Sequence, residues 1–507
     1  VMGNIRESYS VGLLLGGLGL ALAVLGGLLA RPALHILAVE PGGFGMRTVG
    51  MAAVAAVLAV STWIVDTDWK EHLGSPARAQ LAGNGVLEFF RAFRDNEIDF
   101  QRFYATLPTQ EANARASAEF AGMPRYRLTS STQMPIERWV SMGASQRRLN
   151  VILVSVESLG AEFVESLGGK RGLTPELEGL ARKGLYFTHL YATGTRTVRG
   201  LEALTLSVPP TPGHAIPMRP NNTGLFTLGG VFREQGYDAV YMYGGYSYFD
   251  NMREFFGGNG YDVIDRTDIP KARVTHETIW GVADEDLFGQ AITEVDGRVA
   301  RGKNVFLHVM TTSNHRPFTY PDGRIDMPSG SGRDGAVKYT DYAIGRFIRE
   351  ASARPWFADT VFVIVADHTS IGRGKTSLAT AQFHIPMVIY SPKWLEPRRV
   401  DTVASQIDVA PTILGLLNVD YRSQFFGRDI LHDGEADPHV FIANYQTVGF
   451  LNGGLLAELK PRHVTRVLRQ DSNEVVVGQH AAAVLVEGIS LYQVAADRFS
   501  ARRHPAR

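Results

Sequence analysis

The sequence predicts an α/β protein with a mostly parallel sheet and helices on both faces, preceded by N-terminal transmembrane helices and followed by a small C-terminal antiparallel subdomain. Three observations lead there. After Leu149, short continuous apolar runs alternate with helical segments; a long uncharged run lies near the start of the chain; and alternating stretches lie near its end. Continuous apolar strands separated by helices are the pattern of a sheet buried on both faces, whereas alternation marks a half-buried antiparallel one.

The N-terminal region, 1–66, reads as a membrane anchor. Val11 to Ala30 carries no charge and matches the ~20 residues that cross a hydrocarbon core. A second apolar run over about 49–65 contains Trp63 and is followed by Trp69, where an aromatic belt would sit. A cleaved signal peptide is the competing reading of the first run, but it lacks a clear small-residue cleavage site and a second span follows. Arg31 and Arg47 in the intervening loop orient that loop to the cytoplasm and everything after Trp69 to the outside. The chain opens on Val1, which points to an alternative start codon or to spans upstream. Residues 67–148 are polar and helix-rich without strong strands, the character of a juxtamembrane connector.

Residues 149–436 carry the expected catalytic domain. Its strands are Val151 to Val156, Leu185 to Leu190, Ala239 to Tyr243, Val305 to Met310, Val361 to Val365 and Ile385 to Tyr390. One helix is fully punctuated, with Thr174 as N-cap, Pro175 at its first position and Gly184 past its end. Another opens behind Ser405 and runs to Leu417. In the segment 437–507, VFIAN and EVVVG supply the alternation of a small antiparallel subdomain, and Arg502, Arg503 and Arg507 form a solvated tail.

Composition restricts the chemistry. Lys+Arg and Asp+Glu both number 51, so no global field points to nucleic acid, and anion sites must be local. With Cys 0, thiol nucleophiles, zinc–thiolate sites and disulfides are excluded.

In open α/β sheets ligands gather beyond the carboxyl ends of the strands, and polar residues follow the apolar runs here. Glu157 follows the first run, and Asp367 and His368 follow VFVIV, offering oxygen and nitrogen ligands for a divalent cation. Thr197 would open a helix, where free N–H groups and the positive dipole end favour an alkoxide or a bound phosphate. A simple N-cap is its alternative role. Arg196 and Arg199 flank it as phosphate partners. His315 follows VFLHVM and suits proton transfer or phosphate contact. His384 stands at the start of its own strand, a weaker position. The segment YGGYSYFDNMREFF is an aromatic, glycine-rich loop with Asp250, Asn251 and Arg253, suited to a small polar head group.

Taken as an ordered set, VSVESLG, LTPELEGLARKGLYF, the GTRT segment ending in Thr197, TTSNHRPF, the Ala366-Asp367-His368 triplet and SQIDVAPTILGLLN resemble the lipoteichoic acid synthase and phosphoglycerol transferase family of the sulfatase-like alkaline phosphatase superfamily. The resemblance covers roughly Asn150 to Asp429. It implies an alkaline phosphatase-like fold and an extracytoplasmic enzyme anchored in the cytoplasmic membrane. Such an enzyme moves phosphoglycerol from phosphatidylglycerol to a glycan or polyol hydroxyl through a phosphothreonine at Thr197. Carried over by position, Glu157, Thr197, Asp367 and His368 would hold one divalent cation, and His315 would contact the substrate phosphate. Mn²⁺ suits an oxygen-rich set with a single imidazole, with Mg²⁺ and Zn²⁺ as alternatives. Asn251, Arg253, Arg199 and His384 complete the expected substrate contacts.

The chain departs from lipoteichoic acid synthases at their Phe-Trp-Asn-Arg, reading Phe249-Asp250-Asn251-Met252 with Arg253 one place later. In this it resembles proteobacterial relatives, and a periplasmic glucan is one acceptor that fits. Sulfatase activity is disfavoured, because formylglycine needs Cys or Ser in a C/S-x-P-x-R context and Thr197 stands in RTVRG. Phosphoethanolamine transfer, phosphodiester hydrolysis and an inactive sensor or scaffold remain the alternatives.

Overall fold

The structure is a computed structural model that describes residues 11–37, 43–64, 99–129, 134–370, 378–433 and 438–500. The chain divides into two compact units, Val1–Ala92 and Phe93–Arg507. In the first, the expected spans fall on helices α1 (Val11–Leu37) and α2 (Phe44–Ile64). Side chains within them are described at 16, 17, 19–30, 44–46 and 48–57, and among the described residues no helix is long and apolar enough to cross a membrane. Trp69, the first part of the expected connector and the C-terminal arginines lie outside the described residues.

The second unit is organised around a nine-stranded sheet. Its strands are β1 (Asn150–Val156), β2 (Leu185–Tyr191), β3 (Asp238–Tyr243), β4 (Asp262–Ile264), β5 (Val305–Met310), β6 (Thr360–Ala366), β7 (His384–Tyr390), β8 (Arg398–Val400) and β9 (Ala404–Ser405). The order is β8-β2-β7-β6-β1-β5-β3-β4, with β9 also on β2. All six strands expected from the apolar runs are present. β1, β5 and β6 are buried along their whole length, as a sheet covered on both faces requires.

Every pairing is parallel except those of β7, which runs antiparallel to both β2 and β6. The short strands β4, β8 and β9 lack an apolar run long enough to stand out in the sequence. Alternation near the end of the chain gives a separate four-stranded antiparallel sheet: β10 (His439–Ala443), β11 (Val448–Asn452), β12 (Leu455–Lys460) and β13 (Val464–Arg469). EVVVG is not one of its strands. Val475 makes only an isolated bridge to Leu468, and the chain then enters a long helix, Gln479–Ser500.

Residues 99–148 belong to the second unit. Tyr126–Leu128 and Arg138–Val140 form a three-stranded sheet with Tyr421–Ser423. Arg138 is completely buried, donating to the carbonyls of Ile136, Phe425 and Gly427 at 3.1, 2.8 and 3.1 Å and stacking on Phe120 at 3.6 Å. A planar guanidinium with several fixed donors suits such a cluster of orphan carbonyls.

Two local readings are refined. Helix α3 (Pro175–Ala181) starts behind Thr174, but that hydroxyl makes no cap bond. Asp341 of a distant helix supplies it, accepting from the N–H groups of Glu176 and Leu177 at 2.8 and 2.9 Å. Gly184 serves close approach, since a Cβ there would lie 2.4 Å from the Ile389 carbonyl oxygen on β7. The cap at Ser405 is a full capping box with Asp408, opening a turn that continues into Val409–Leu416.

Candidate active site

Three parallel strands deliver their chemistry to one edge. β1 ends in Glu157, β6 in Asp367 and His368, and β5 runs into the loop carrying Thr311, Asn314 and His315. β2 leads through 192–196 into helix α4 (Thr197–Leu206), whose first residue is Thr197. No side chain caps this helix, so its first N–H groups stay open beside the threonine hydroxyl.

Glu157, Asp367 and His368 are all buried, and one ligand atom from each lies within 4.8 Å of the others. The Thr197 hydroxyl donates to Glu157 Oε2 at 3.0 Å, and Ser158 Oγ donates to Oε1 at 2.6 Å. His315 Nε2 stands 3.3 Å from Glu157 Oε1. Asp367 Oδ1 accepts from the backbone N–H groups of Ser158 and His368 at 2.8 and 2.6 Å. His368 Nδ1 donates to the Thr369 carbonyl at 2.7 Å, which leaves Nε2 as the ring's lone pair, 3.4 Å from Asp367 Oδ2. Such a backbone bond fixes the tautomer of a metal-ligating histidine.

The electrostatics call for a cation. Burial, followed by repulsion from Glu157, pushes the Asp367 carboxyl well above its ordinary range. Burial also works against the charge on Glu157, but the imidazoles of His315 and His368 outweigh it and hold that carboxyl low. Asp367 Oδ2 is buried without a hydrogen-bond partner. A divalent cation would satisfy this oxygen, the second carboxylate and His368 Nε2 together, so the residues fit the group. This donor set could bind one.

The expected substrate residues fall into two groups. His315 stands at the cluster, its ring stacked on Trp280 with centroids 4.0 Å apart. Trp280 in turn meets Phe249 edge-on at 5.5 Å. The loop expected there is a turn, Phe249–Asn251, running into a helix, Met252–Gly258, with Asp250 and Asn251 at φ 49° and 60°. Asn251 Nδ2 donates to the Pro217 carbonyl at 3.1 Å. Asp250 is half-buried and makes no hydrogen bond among the described residues. Burial raises its carboxyl, Arg196 works the other way, and Glu157 adds to the rise, which puts Asp250 within electrostatic reach of the cluster.

His384 also lies at this edge, because β7 runs antiparallel and pairs its first residue with Tyr191 at the end of β2. Its Nε2 donates to the Thr188 carbonyl at 2.7 Å.

Arg199 and Arg253 are committed elsewhere. Arg199 is buried, donating to Glu202 at 2.7 Å and to the carbonyls of Thr211 and Gly213 at 2.7 and 2.5 Å. Arg253 binds Ser247 Oγ at 2.8 Å and Asp265 at 3.0 Å. The Arg196 guanidinium, by contrast, is exposed and makes no hydrogen bond among the described residues.

Several residues that build the site were not singled out in the sequence, although Gln406 and Asn314 lie within the motifs SQIDVAPTILGLLN and TTSNHRPF. Gln406 Nε2 donates to the carbonyls of Ala366 and Asp367, both at 2.9 Å, while its Oε1 accepts from Thr193 N–H at 3.2 Å. One buried side chain thus ties the end of β6 to the loop before Thr197. Asn314 Nδ2 donates to the Glu157 carbonyl at 2.9 Å. Gly200, one turn into α4, packs on the backbone of Asp367, where a Cβ would come within 2.4 Å of the carbonyl oxygen.

A family model described as Sulfatase matches residues 149–419. Phosphoglycerol transferase I of Xanthomonas campestris pv. campestris is 27% identical over 358 residues, covering 66% of this chain and 50% of that protein. The chain spans about half the length of the curated relatives it matches first. The crystal structure of a protein in the alkaline phosphatase superfamily from Vibrio parahaemolyticus superposes with TM-score 0.73 at 32% identity, over 80% of this chain and 98% of that one. That of the lipoteichoic acid synthase LtaP from Listeria monocytogenes gives TM-score 0.61 at 19% identity, over 77% and 97%. This second likeness concerns the fold, which is alkaline phosphatase-like. The names in the expected resemblance recur among these similar proteins.

Gly200→Ala should disturb the cluster without touching a polar group. The added methyl meets backbone, so α4 and the Asp367 turn must separate. Metal affinity, read by titration with elemental analysis of the product, should fall roughly 10–100-fold, as for the loss of an outer-shell partner, with a cooperative melt retained. Unchanged affinity would show that the close approach is dispensable.

Proposed function

This chain belongs to the sulfatase family, and on that premise we propose that it is a membrane-anchored, metal-dependent phosphoglycerol transferase whose nucleophile is Thr197. The observation that carries the reading is the Thr197 hydroxyl, 3.0 Å from Glu157 Oε2 at the mouth of the buried Glu157–Asp367–His368 set. The 27% identity to a phosphoglycerol transferase supports the choice of transferred group.

In this reading Glu157, Thr197, Asp367 and His368 hold one divalent cation, Mn²⁺ by the balance of oxygen to nitrogen ligands, with Mg²⁺ or Zn²⁺ as alternatives. When bound, the cation neutralises the carboxylates and lowers the pKa of the threonine hydroxyl. Thr197 Oγ gives up its proton and attacks the phosphorus of phosphatidylglycerol; the Thr197 O–P bond forms as the P–O bond to diacylglycerol breaks, and diacylglycerol leaves protonated. Glu157 orients the hydroxyl through the bond seen here, and the open N–H groups of α4 favour the negative oxygen. His315, held flat by Trp280, stands where it can give the leaving oxygen its proton and later take one from the incoming hydroxyl. That acceptor is a glycan or polyol, which receives phosphoglycerol from Thr197 and restores the free hydroxyl.

Asn251, Trp280 and His384 border the space for the head group. A second reading has a specific basis. Asp250, without a hydrogen-bond partner among the described residues, follows in the same loop as Tyr246 and Tyr248, whose rings stack at 5.4 Å, a set that suits an ammonium group and hence phosphoethanolamine. Glycerol is favoured by the relatives' names. With purified enzyme, phosphatidylglycerol should turn over in preference to phosphatidylethanolamine. Thr197→Ala should abolish turnover of either, Thr197→Ser should retain part, and Thr195→Ala should stay active. Preference for phosphatidylethanolamine, or activity in Thr197→Ala, would overturn the corresponding assignment.

Membrane anchoring rests on α1 and α2. Leu20, Leu28, Phe44 and Met51 are 69–84% exposed, and a run of bare large apolar side chains calls for an apolar surround. Arg31 and Arg47, expected in the loop, lie in the last part of α1 and the first turn of α2; with that end inside, the catalytic unit lies on the outer side of the cytoplasmic membrane, where outer-leaflet lipid and glycan meet it. An alkaline phosphatase reporter fused after Trp69 should be active, as it is only outside the cytoplasm; a silent but expressed fusion would reverse the orientation.

A further inference from the structure

We propose that Arg333 is the cation that grips the non-bridging oxygens of the donor phosphate, the task the sequence had suggested for Arg196 and Arg199. The inference rests on the phosphodiester substrate proposed above and adds the residue that binds it. Of the two arginines flanking Thr197, Arg199 is closed by Glu202 and two carbonyls and Arg196 is exposed, so neither is held in the fixed geometry that bidentate phosphate recognition uses.

Arg333 is the first residue of the helix Arg333–Ser352. It is half-buried and, among the described residues, has no carboxylate within ion-pair distance. Its Nη1 makes one long bond, 3.4 Å, to the Asn314 carbonyl, and its guanidinium lies 4.9 Å from the centre of the Phe318 ring. Both contacts belong to the loop that carries His315, and Phe318 N–H donates to the His315 carbonyl at 2.8 Å. The same Asn314 holds the Glu157 backbone. Arg333 is therefore fixed to the segment that forms one wall of the reaction centre, with most of its donors unspent.

A guanidinium in this position needs a counter-charge. Burial lowers its pKa, and the charges that work the other way are Glu157, Glu162 and Asp367, opposed by the neighbouring Arg316. Glu162 accepts from Ser370 N–H and Oγ at 3.2 and 2.7 Å. A cation on Glu157 and Asp367 would neutralise two of those three carboxylates and leave Arg333 and Arg316 balanced by Glu162 alone. An anion arriving there completes the charge, and a phosphodiester is the anion the reaction supplies. The ring beneath Arg333 limits its freedom in advance, so little order is lost on binding.

The test is calorimetry with inorganic phosphate on Mn²⁺-loaded full-length protein, comparing wild type with Arg333→Gln and Arg333→Lys. Phosphate affinity should fall about 10- to 100-fold in Arg333→Gln, the loss expected for hydrogen bonds to a charged group. Arg333→Lys should fall between, because a point charge replaces a fork. Metal stoichiometry should stay at the wild-type value in both. Wild-type phosphate affinity in Arg333→Gln, or loss of metal in step with loss of phosphate, would overturn the proposal; should Arg333→Gln not fold, undiminished affinity in Arg333→Lys would do so. Phosphatidylglycerol turnover is followed in parallel. Turnover with phosphate affinity indifferent to Arg333 removes this inference and leaves the function standing; Arg333-dependent phosphate binding without turnover does the reverse.

Discussion

Glu157 and Asp367 lie buried side by side at the ends of adjacent strands, and the design of the catalytic unit answers to that pairing. Removing a charged carboxylate from water costs several kcal/mol even after relaxation, and a second one beside it adds repulsion. The surrounding structure commits the other polar atoms. Asp367 Oδ1 is taken by two N–H groups, the Glu157 backbone by Thr311 and Asn314, and His368 Nδ1 by a carbonyl. What remains uncommitted is Asp367 Oδ2 and the facing His368 Nε2, beside a Glu157 carboxylate that already accepts from Thr197 and Ser158. A divalent cation would resolve the conflict and would also make the adjacent Thr197 hydroxyl more acidic, so that in the proposed mechanism stability of the site and activation of the nucleophile share one cause.

The rest of the fold keeps those atoms in place. Parallel pairing of β1 with β5 and β6 sets Glu157, the His315 loop and Asp367 at one level, so no long loop has to be ordered to bring them together. The absence of a side chain at Gly200 allows α4 to rest on the Asp367 backbone. Gln406 then fastens the same turn to the segment before Thr197. These contacts make the position of the nucleophile relative to the carboxylates a property of the sheet and its covering helix, the precision that proximity effects in catalysis demand.

The buried sheet was legible because continuous apolar runs leave little choice of structure, and Glu157, Asp367 and His368 were legible because they end such runs. The direction of β7 was not legible. An apolar strand reads the same either way, and only the antiparallel pairing explains why His384, at the start of its strand, shares the site edge. Arg199 misled because sequence proximity to Thr197 says nothing of which way a helical side chain points. It turns back to Glu202 three residues on, an ordinary helical pair. Arg333, Trp280 and Gln406 lie 83 to 209 residues from Thr197 along the chain, and only the tertiary fold brings such positions to one place. EVVVG shows the limit of alternation as a signal, since a strand needs a partner edge and Val475 finds a single bridge.

The central claim is that Thr197 carries the transferred group. Tandem mass spectrometry of protein quenched in acid during turnover of phosphatidylglycerol tests it most directly. A phosphoglyceryl adduct on the peptide containing Thr195 and Thr197, with fragment ions placing it on Thr197 and its loss on addition of acceptor, is the predicted result. An unmodified Thr197 under conditions where diacylglycerol is released, or an adduct placed on Thr195, would contradict the account.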